Sequence, residues 1–232
     1  MKTSCIILAR SGSKGIKNKN IINFCNKPLI SWTILQAKSC KLVNDIWVSS
    51  DSIHILNIAR KYNVKTILRP KNISQDHSTS EQAWIHALEI IKNSNNGKLP
   101  DYVLAPQVTS PLREPKDFKA AIMKVQKEKY DSLLSVSEIQ DFFIWRMDDS
   151  NQPKAVNYDF KKRKRRQKIE KKFVENGSFY IFKPSILINN NNRIGGKISF
   201  YIMEDFKMHQ IDKKSDIKYC ETIMRAYKLN NL

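Results

Sequence analysis

"SCIILARSGSKGIKNKN", residues 4–20, sets a short apolar run against a loop with two glycines and a series of cations. The stretch from Ser4 to Ala9 reads as a buried strand, and the loop after it lies where open α/β sheets bind ligands, at the carboxyl edge of the first strand. Gly12 and Gly15 allow backbone N–H groups to come close to an anion, while Arg10, Lys14, Lys17 and Lys19 add positive charge. The spacing is neither GxxxxGK[ST] nor GxGxxG, which disfavours an ordinary P-loop ATPase and a dinucleotide dehydrogenase. On its own the loop reads either as a phosphate cradle or as a solvated turn.

Working outward, β-like and helical patterns alternate at short spacing, as βα units around a mostly parallel sheet do. The helical pattern of "PLISWTILQAKSC" (28–40) starts on a proline suited to a first turn. Strands are expected at "DIWVSS" (45–50), "VKTILR" (64–69), "DYVLA" (101–105) and "DSLLSVS" (131–137), with helices near 52–62 and at 114–128. "STSEQAWIHALEIIKN" offers Ser or Thr caps ahead of Trp84, Leu88 and Ile91 at helical spacing. In the second half "FFIWRM", "SFYIFK" and "KISFYIM" look like strands, residues 148–172 are polar and basic, and a last helix is expected near 213–228. One domain over residues 1–232 with a protruding basic arm accounts for this pattern.

The chain has 232 residues and a formal net charge of +19. The run "KKRKRRQKIEKK" (161–172) supplies eight of those net charges, so the basicity is partly local. A basic surface attracts polyanions whatever their sequence, which keeps a nucleic-acid-binding protein as an alternative. The arm carries no aromatic stacking motif, and a phosphate-rich small molecule suits the same charge. No run of eighteen apolar residues is present and the first residues turn polar too soon for a secretory signal, so a cytoplasmic protein without a membrane span is expected. Cys5, Cys25, Cys40 and Cys220 are scattered without a CxxC pair, and the four histidines have no metal-ligand spacing.

A series of blocks then resembles one family. "ILARSGSKGIKNKNI" followed by "NKPLISWTI", then "VSSDS", "LRPKNISQDHSTSEQAWIHALE", "PQVTSPLR", "RRQ", "VENGSFYIFK" and "QIDKKSDI" are similar, in order and spacing, to the cytidylyltransferases that activate sialic acid and related nonulosonic acids. The resemblance implies a three-layer α/β sandwich of the Rossmann-like nucleotide-diphosphosugar transferase type. It implies the reaction of CTP with a nine-carbon sugar acid to give CMP-sugar, for surface glycans, and pyrophosphate. It also implies Mg²⁺, and a homodimer in which an extension, here about 140–175, helps close the partner's site. The nearest enzymatic alternative is a relative acting on the eight-carbon acid Kdo.

By the same resemblance, Arg10, Ser13 and Lys19 hold the triphosphate and Asn20 reaches nucleotide or ribose. Ser80 and Gln107 match positions that read cytosine, whose amino donor and ring acceptors require both hydrogen-bond senses. Gln107, Asn176 and Tyr180 match sugar-binding positions, and Arg165 or Arg166 suits the sugar carboxylate or a phosphate because a guanidinium fork binds either. Asp212 is the metal ligand, a hard oxygen of the kind Mg²⁺ prefers. Arg10, Lys19 and Asp212 form the expected catalytic set. Gln210 stands where many sialic acid enzymes have a second acid, and Arg113 reads as a residue that fastens its loop.

Overall fold

A computed structural model describes residues 1–13, 15–139 and 143–232, and the side chain of Arg166 lies outside the described set, as do Lys14 and the start of "FFIWRM". Seven strands form the central sheet: β1 (Thr3–Leu8), β4 (Asp45–Ser50), β5 (Lys65–Leu68), β6 (Tyr102–Pro106), β7 (Ser132–Ile139), β10 (Lys172–Phe182) and β11 (Ile198–Met203). Their order is β11-β7-β10-β6-β1-β4-β5, and all pairings are parallel except those of β10, which runs antiparallel to both β6 and β7. Two hairpins lie outside it, β2 (Asn23–Phe24) with β3 (Lys27–Pro28) and β8 (Trp145–Met147) with β9 (Pro153–Ala155).

The central strands are buried on both faces, which is why they read as continuous apolar runs. Cys5 and Ile7 of β1, Leu104 of β6, and Phe179 and Ile181 of β10 join one core. Helices α1 (Leu29–Lys38), α2 (Ile53–Arg60), α4 (Pro115–Glu128) and α6 (Lys214–Ala226) close that core. The alternate residues Ile6, Val103, Ala105, Tyr180 and Phe182 face a second core under α3 (Ser80–Ser94) and α5 (Pro184–Asn190). The architecture is therefore the expected three-layer, mostly parallel α/β sandwich.

Because β1, β4, β5 and β6 are parallel, their carboxyl ends share one edge. Arg10, Asp51, Arg69 and Gln107 each follow one of these strands by one or two residues. Helix α3 begins at the same edge. Thr79 is its N-cap and forms a capping box with Gln82, so Ser80 is the first helical residue. At the start of α6 the capping carboxylate belongs to Asp216, which accepts from the backbone N–H groups of Asp212 (2.9 Å) and Lys213 (2.8 Å). Asp212 is thus released from helix capping.

Candidate active site

A cavity of about 630 Å³ opens at the carboxyl edge of the sheet. One wall is the glycine loop with Arg10, Ser13, Gly15, Lys19 and Asn20. The opposite wall is the segment after β5, from Arg69 through Asp76 to Ser80, and Thr109 and Asp212 close the third side. Residues near the two ends of the chain thus meet in one cleft. Gly15 explains how: a Cβ there would lie 2.6 Å from the backbone oxygen of Asp212, so only glycine lets the two segments touch. A Cβ on Gly12 meets nothing within 4 Å, so that glycine has no such packing reason.

The loop is held from outside. The Ser11 N–H donates to the Asp51 carboxylate at 2.9 Å and the Ser11 hydroxyl at 2.6 Å. Asn20, which is buried, donates through Nδ2 to the Arg10 carbonyl at 2.9 Å and so pins the loop to itself. Lys19 Nζ lies 2.8 Å from Asp212 Oδ1, and Arg10 Nη1 lies 2.9 Å from Asp76 Oδ1 and 3.0 Å from the Gln75 carbonyl. Each cation therefore already faces an oxygen ligand across the cleft.

Arg69 was not expected from the sequence. It is 5 % exposed, lines the cavity, and has Nε on Ser74 Oγ at 2.9 Å. Burial holds its guanidinium below the ordinary value, opposed by the nearby Asp51 carboxylate and reinforced by Arg10. A buried cation at the mouth of a polar cleft is a ready anion ligand. The start of α3 adds to the field, since Ser78, Thr79 and Ser80 line the cavity where the positive end of the helix dipole favours negative charge. A signal for Arg69 existed, because it is the one charge that ends the strand "KTIL" on the ligand edge.

Gln107, Asn176, Tyr180 and Arg165 are not among the residues that line this cavity. Gln107 directly follows β6, with its N–H on the Ser178 carbonyl at 2.9 Å. Arg113 is fully buried and does fasten this loop: it donates to the carbonyls of Gln107, Ser110 and Ser178 and to Thr33 Oγ1. Asn176 is 3 % exposed, and its amide is engaged by the Ser135 hydroxyl at 2.6 Å, the Ser178 N–H at 3.1 Å and Ser137 Oγ at 3.1 Å. Tyr180 has a buried ring, and its hydroxyl donates to Glu175. Burial, then the Glu175 carboxylate, push that phenol up, which keeps it a donor. Arg165 is exposed on the arm.

These features define an α/β protein with a cation-lined cleft at the carboxyl edge of a mostly parallel sheet. Among solved structures, a CMP:2-keto-3-deoxy-manno-octonic acid synthetase complexed with CTP superposes with a TM-score of 0.72 at 14% identity, covering 98% of this chain and 100% of that one, which speaks to the fold. The cytidylyltransferase family profile matches residues 4–231, and the chain belongs to that family. N-acylneuraminate cytidylyltransferase A of Danio rerio is 35% identical over 92% of this chain, which spans only 48% of that relative. A pseudaminic acid cytidylyltransferase of Campylobacter jejuni is 31% identical over 100% of this chain and 98% of its own length.

Enzymes of this family generally use a divalent metal. The Asp212 side chain is 65 % exposed toward solvent at the cleft, and no group of three or more His, Cys, Asp or Glu gathers among the described residues. One hard carboxylate fits a cation that takes its other ligands from phosphate and water, and does not fit a closed zinc-type site. Gln210 is not among the residues that line the cavity, and its Nε2 donates to the Asn176 carbonyl at 2.8 Å. No described helix is long and apolar enough to cross a membrane.

Proposed function

We propose that this chain transfers CMP from CTP to the anomeric hydroxyl of a nonulosonic acid in the cytoplasm, releasing pyrophosphate. The observation that carries the reading is the meeting of Arg10, Lys19, Arg69 and Asp212 around one cavity in a member of the cytidylyltransferase family. The acceptor oxygen attacks the α-phosphorus in line with the departing pyrophosphate, and the charge that develops on the phosphate oxygens is the barrier to be lowered. Arg10, Ser13 and Lys19 bind the triphosphate, with Arg69 and the first N–H groups of α3 beside them. Asn20 reaches the nucleotide or ribose, and Ser80 and Gln107 read cytosine. When bound, a divalent cation, Mg²⁺ in our reading, neutralises phosphate charge, and Asp212 is the residue that would hold it. Lys19, 2.8 Å from Asp212 Oδ1, holds that carboxylate at the cleft.

On the acceptor side Gln107, Tyr180 and Asn176 shape the sugar pocket, with Asn176 acting through its hold on Ser135 and Ser137, and Arg165 or Arg166 meets the carboxylate or a phosphate. Residues 1–232 work as one domain whose extension at about 140–175 packs on a second copy. Relatives at this similarity act on N-acylneuraminate or pseudaminate, which supports a nine-carbon acceptor over Kdo. Purified protein incubated with CTP, Mg²⁺ and separate N-acetylneuraminic, legionaminic, pseudaminic and Kdo acids, with pyrophosphate followed, tests this. We expect release with a nonulosonic acid. Release with Kdo alone overturns the acceptor class, and no release with any acid alongside tight polynucleotide binding overturns the enzyme reading.

A further inference from the structure

A buried charge cluster joins the first turn of α4 to the Asp205–Met208 turn, which precedes Asp212 in the chain. Lys207 lies in the helical turn Asp205–Met208 just after β11, and its side chain is 0 % exposed. Its ammonium meets three carboxylates: Glu114 at 2.8 Å, Asp117 at 2.9 Å and Glu204 at 2.8 Å. Asp117 is itself fully buried, accepts from the Glu114 N–H at 2.7 Å and from the Tyr201 hydroxyl at 3.2 Å, and belongs to the first turn of α4. Lys116 adds a second cation at 2.7 Å from Glu114. Burial alone would strip the proton from Lys207, but the three facing carboxylates outweigh it and hold the ammonium above its ordinary range.

Two chain segments leave this cluster and meet again at the cleft. From Glu114 the chain runs back through Arg113 to Thr109, which lines the cavity. From Lys207 it runs forward to Ile211, which is buried and whose N–H donates to the Thr109 carbonyl at 2.8 Å, and then to Asp212. Cluster, loop, hydrogen bond and turn form a closed ring of contacts with Asp212 as the next residue out. Residues 109–114 and 209–212 hold no strand or helix, and Asp212 is fixed on its other side by the Asp216 carboxylate, which accepts from its N–H at 2.9 Å.

The structure assigns Lys207 as a positioning residue: by clamping the Asp205–Met208 turn to the first turn of α4 through Glu114, Asp117 and Glu204, it fixes the Asp212 carboxylate in the nucleotide cleft. This rests on the proposed role of Asp212 for its catalytic meaning, though not for the clamp itself. Buried charge partners of this kind hold one geometry, and misplacing a functional group by about 1 Å can cost on the order of a hundredfold in rate.

The test uses Lys207→Met, the neutralised pair Lys207→Met/Asp117→Asn in case the first does not fold, and Glu204→Gln, which removes one partner on the exposed side without stranding a buried charge. Backbone amide hydrogen exchange is read at Gln210–Asp212 and at β1 and β6. Calorimetry gives the Mg²⁺ dependence of CTP binding without any sugar acid. We expect faster exchange at Ile211 with β1 and β6 unchanged. We also expect the Mg²⁺ concentration for half-maximal CTP binding to rise about tenfold in Lys207→Met or the double variant, in the range seen when groups behind a metal ligand are removed, with a smaller rise in Glu204→Gln. Variants that lose thermal stability yet keep the parent's Ile211 exchange and Mg²⁺ dependence overturn the assignment. Asp212→Asn separates the two readings: if it leaves the Mg²⁺ dependence untouched, the metal role of Asp212 fails, while Ile211 exchange still decides the clamp.

Discussion

At the scale of single residues, the cleft is organised by close approach and by charges that already have partners. Gly15 is the tightest constraint, since a Cβ would press to 2.6 Å on the Asp212 backbone oxygen and a backbone atom cannot swing away as a side-chain tip can. Gly15→Ala is expected to cost about 1–3 kcal/mol of stability, as over-packing does. It should also raise the Mg²⁺ and CTP concentrations needed for half-maximal rate; a thermal melt and initial rates check both. Asp76 is the complementary case. It pairs with Arg10 at 2.9 Å, with side chains 34% and 52% exposed, so the pair itself is worth at most about 1 kcal/mol. Incoming phosphate must take Arg10 from it. Asp76→Asn should therefore tighten CTP binding by about two- to fivefold at low salt, an advantage that fades as salt screens the pair. Weaker binding in calorimetry would instead make Asp76 a ligand in its own right.

At the scale of elements, legibility followed burial. β1, β4 and β6 were readable because two-sided burial leaves apolar runs, and α3 because its cap and periodicity agree. The run "FFIWRM" marked β8, whereas β2, β3, β9 and α5 escaped notice, the strands because two or three residues leave no periodic pattern, and α5 because its seven residues bury only Pro184 and Leu187. The loop and the family blocks single out Arg10, Ser13, Lys19, Asn20, Ser80 and Asp212, and all six line the one cavity. Lys207 was invisible: in "MEDFKMHQ" it looks like one more solvated lysine, and its partner Asp117 lies ninety residues away. Its cluster makes a pH prediction. Lys207 and Lys116 hold Glu114 below the ordinary carboxylate value, against the opposing effect of burial, and Lys207 does the same for Glu204. A depressed carboxylate contributes stability that is full above the unfolded value, near 4.5, and is lost as pH falls through the folded value. Lys207→Met lacks that contribution, so its deficit against the parent should be largest near neutral pH and close below about pH 4.5. Urea titrations across that range measure it, and a deficit that is flat with pH would mean the lost term is packing alone.

At the scale of the whole molecule, the arm is the part that the sheet does not account for. The β8–β9 hairpin carries Trp145 and Met147 exposed by 45% and 55%, with Val156 and Phe160 beside them at 53% and 54%. Trp145 packs edge-on against Tyr158 and at a tilt against Phe160, at centroid distances of 5.8 and 5.4 Å, so the arm has a small aromatic core of its own and still presents apolar surface. An isolated two-stranded hairpin is marginal in water, and apolar surface gathered on one projection marks an interaction site. The exposed run Lys161–Arg165 on the same arm offers a rival explanation by charge, and the two respond oppositely to salt. Association through apolar area persists or strengthens in high salt, whereas polyanion binding through several lysines falls by orders of magnitude between low and moderate salt. If the arm packs on a second copy, sedimentation should find a dimer that survives about 0.5 M NaCl, and Trp145→Ser/Phe160→Ser should shift it to monomer with the sheet's thermal transition preserved. A monomer at every salt concentration, with polynucleotide binding lost on replacing Lys161, Lys162 and Arg163 by serine, would assign the arm to its charge instead.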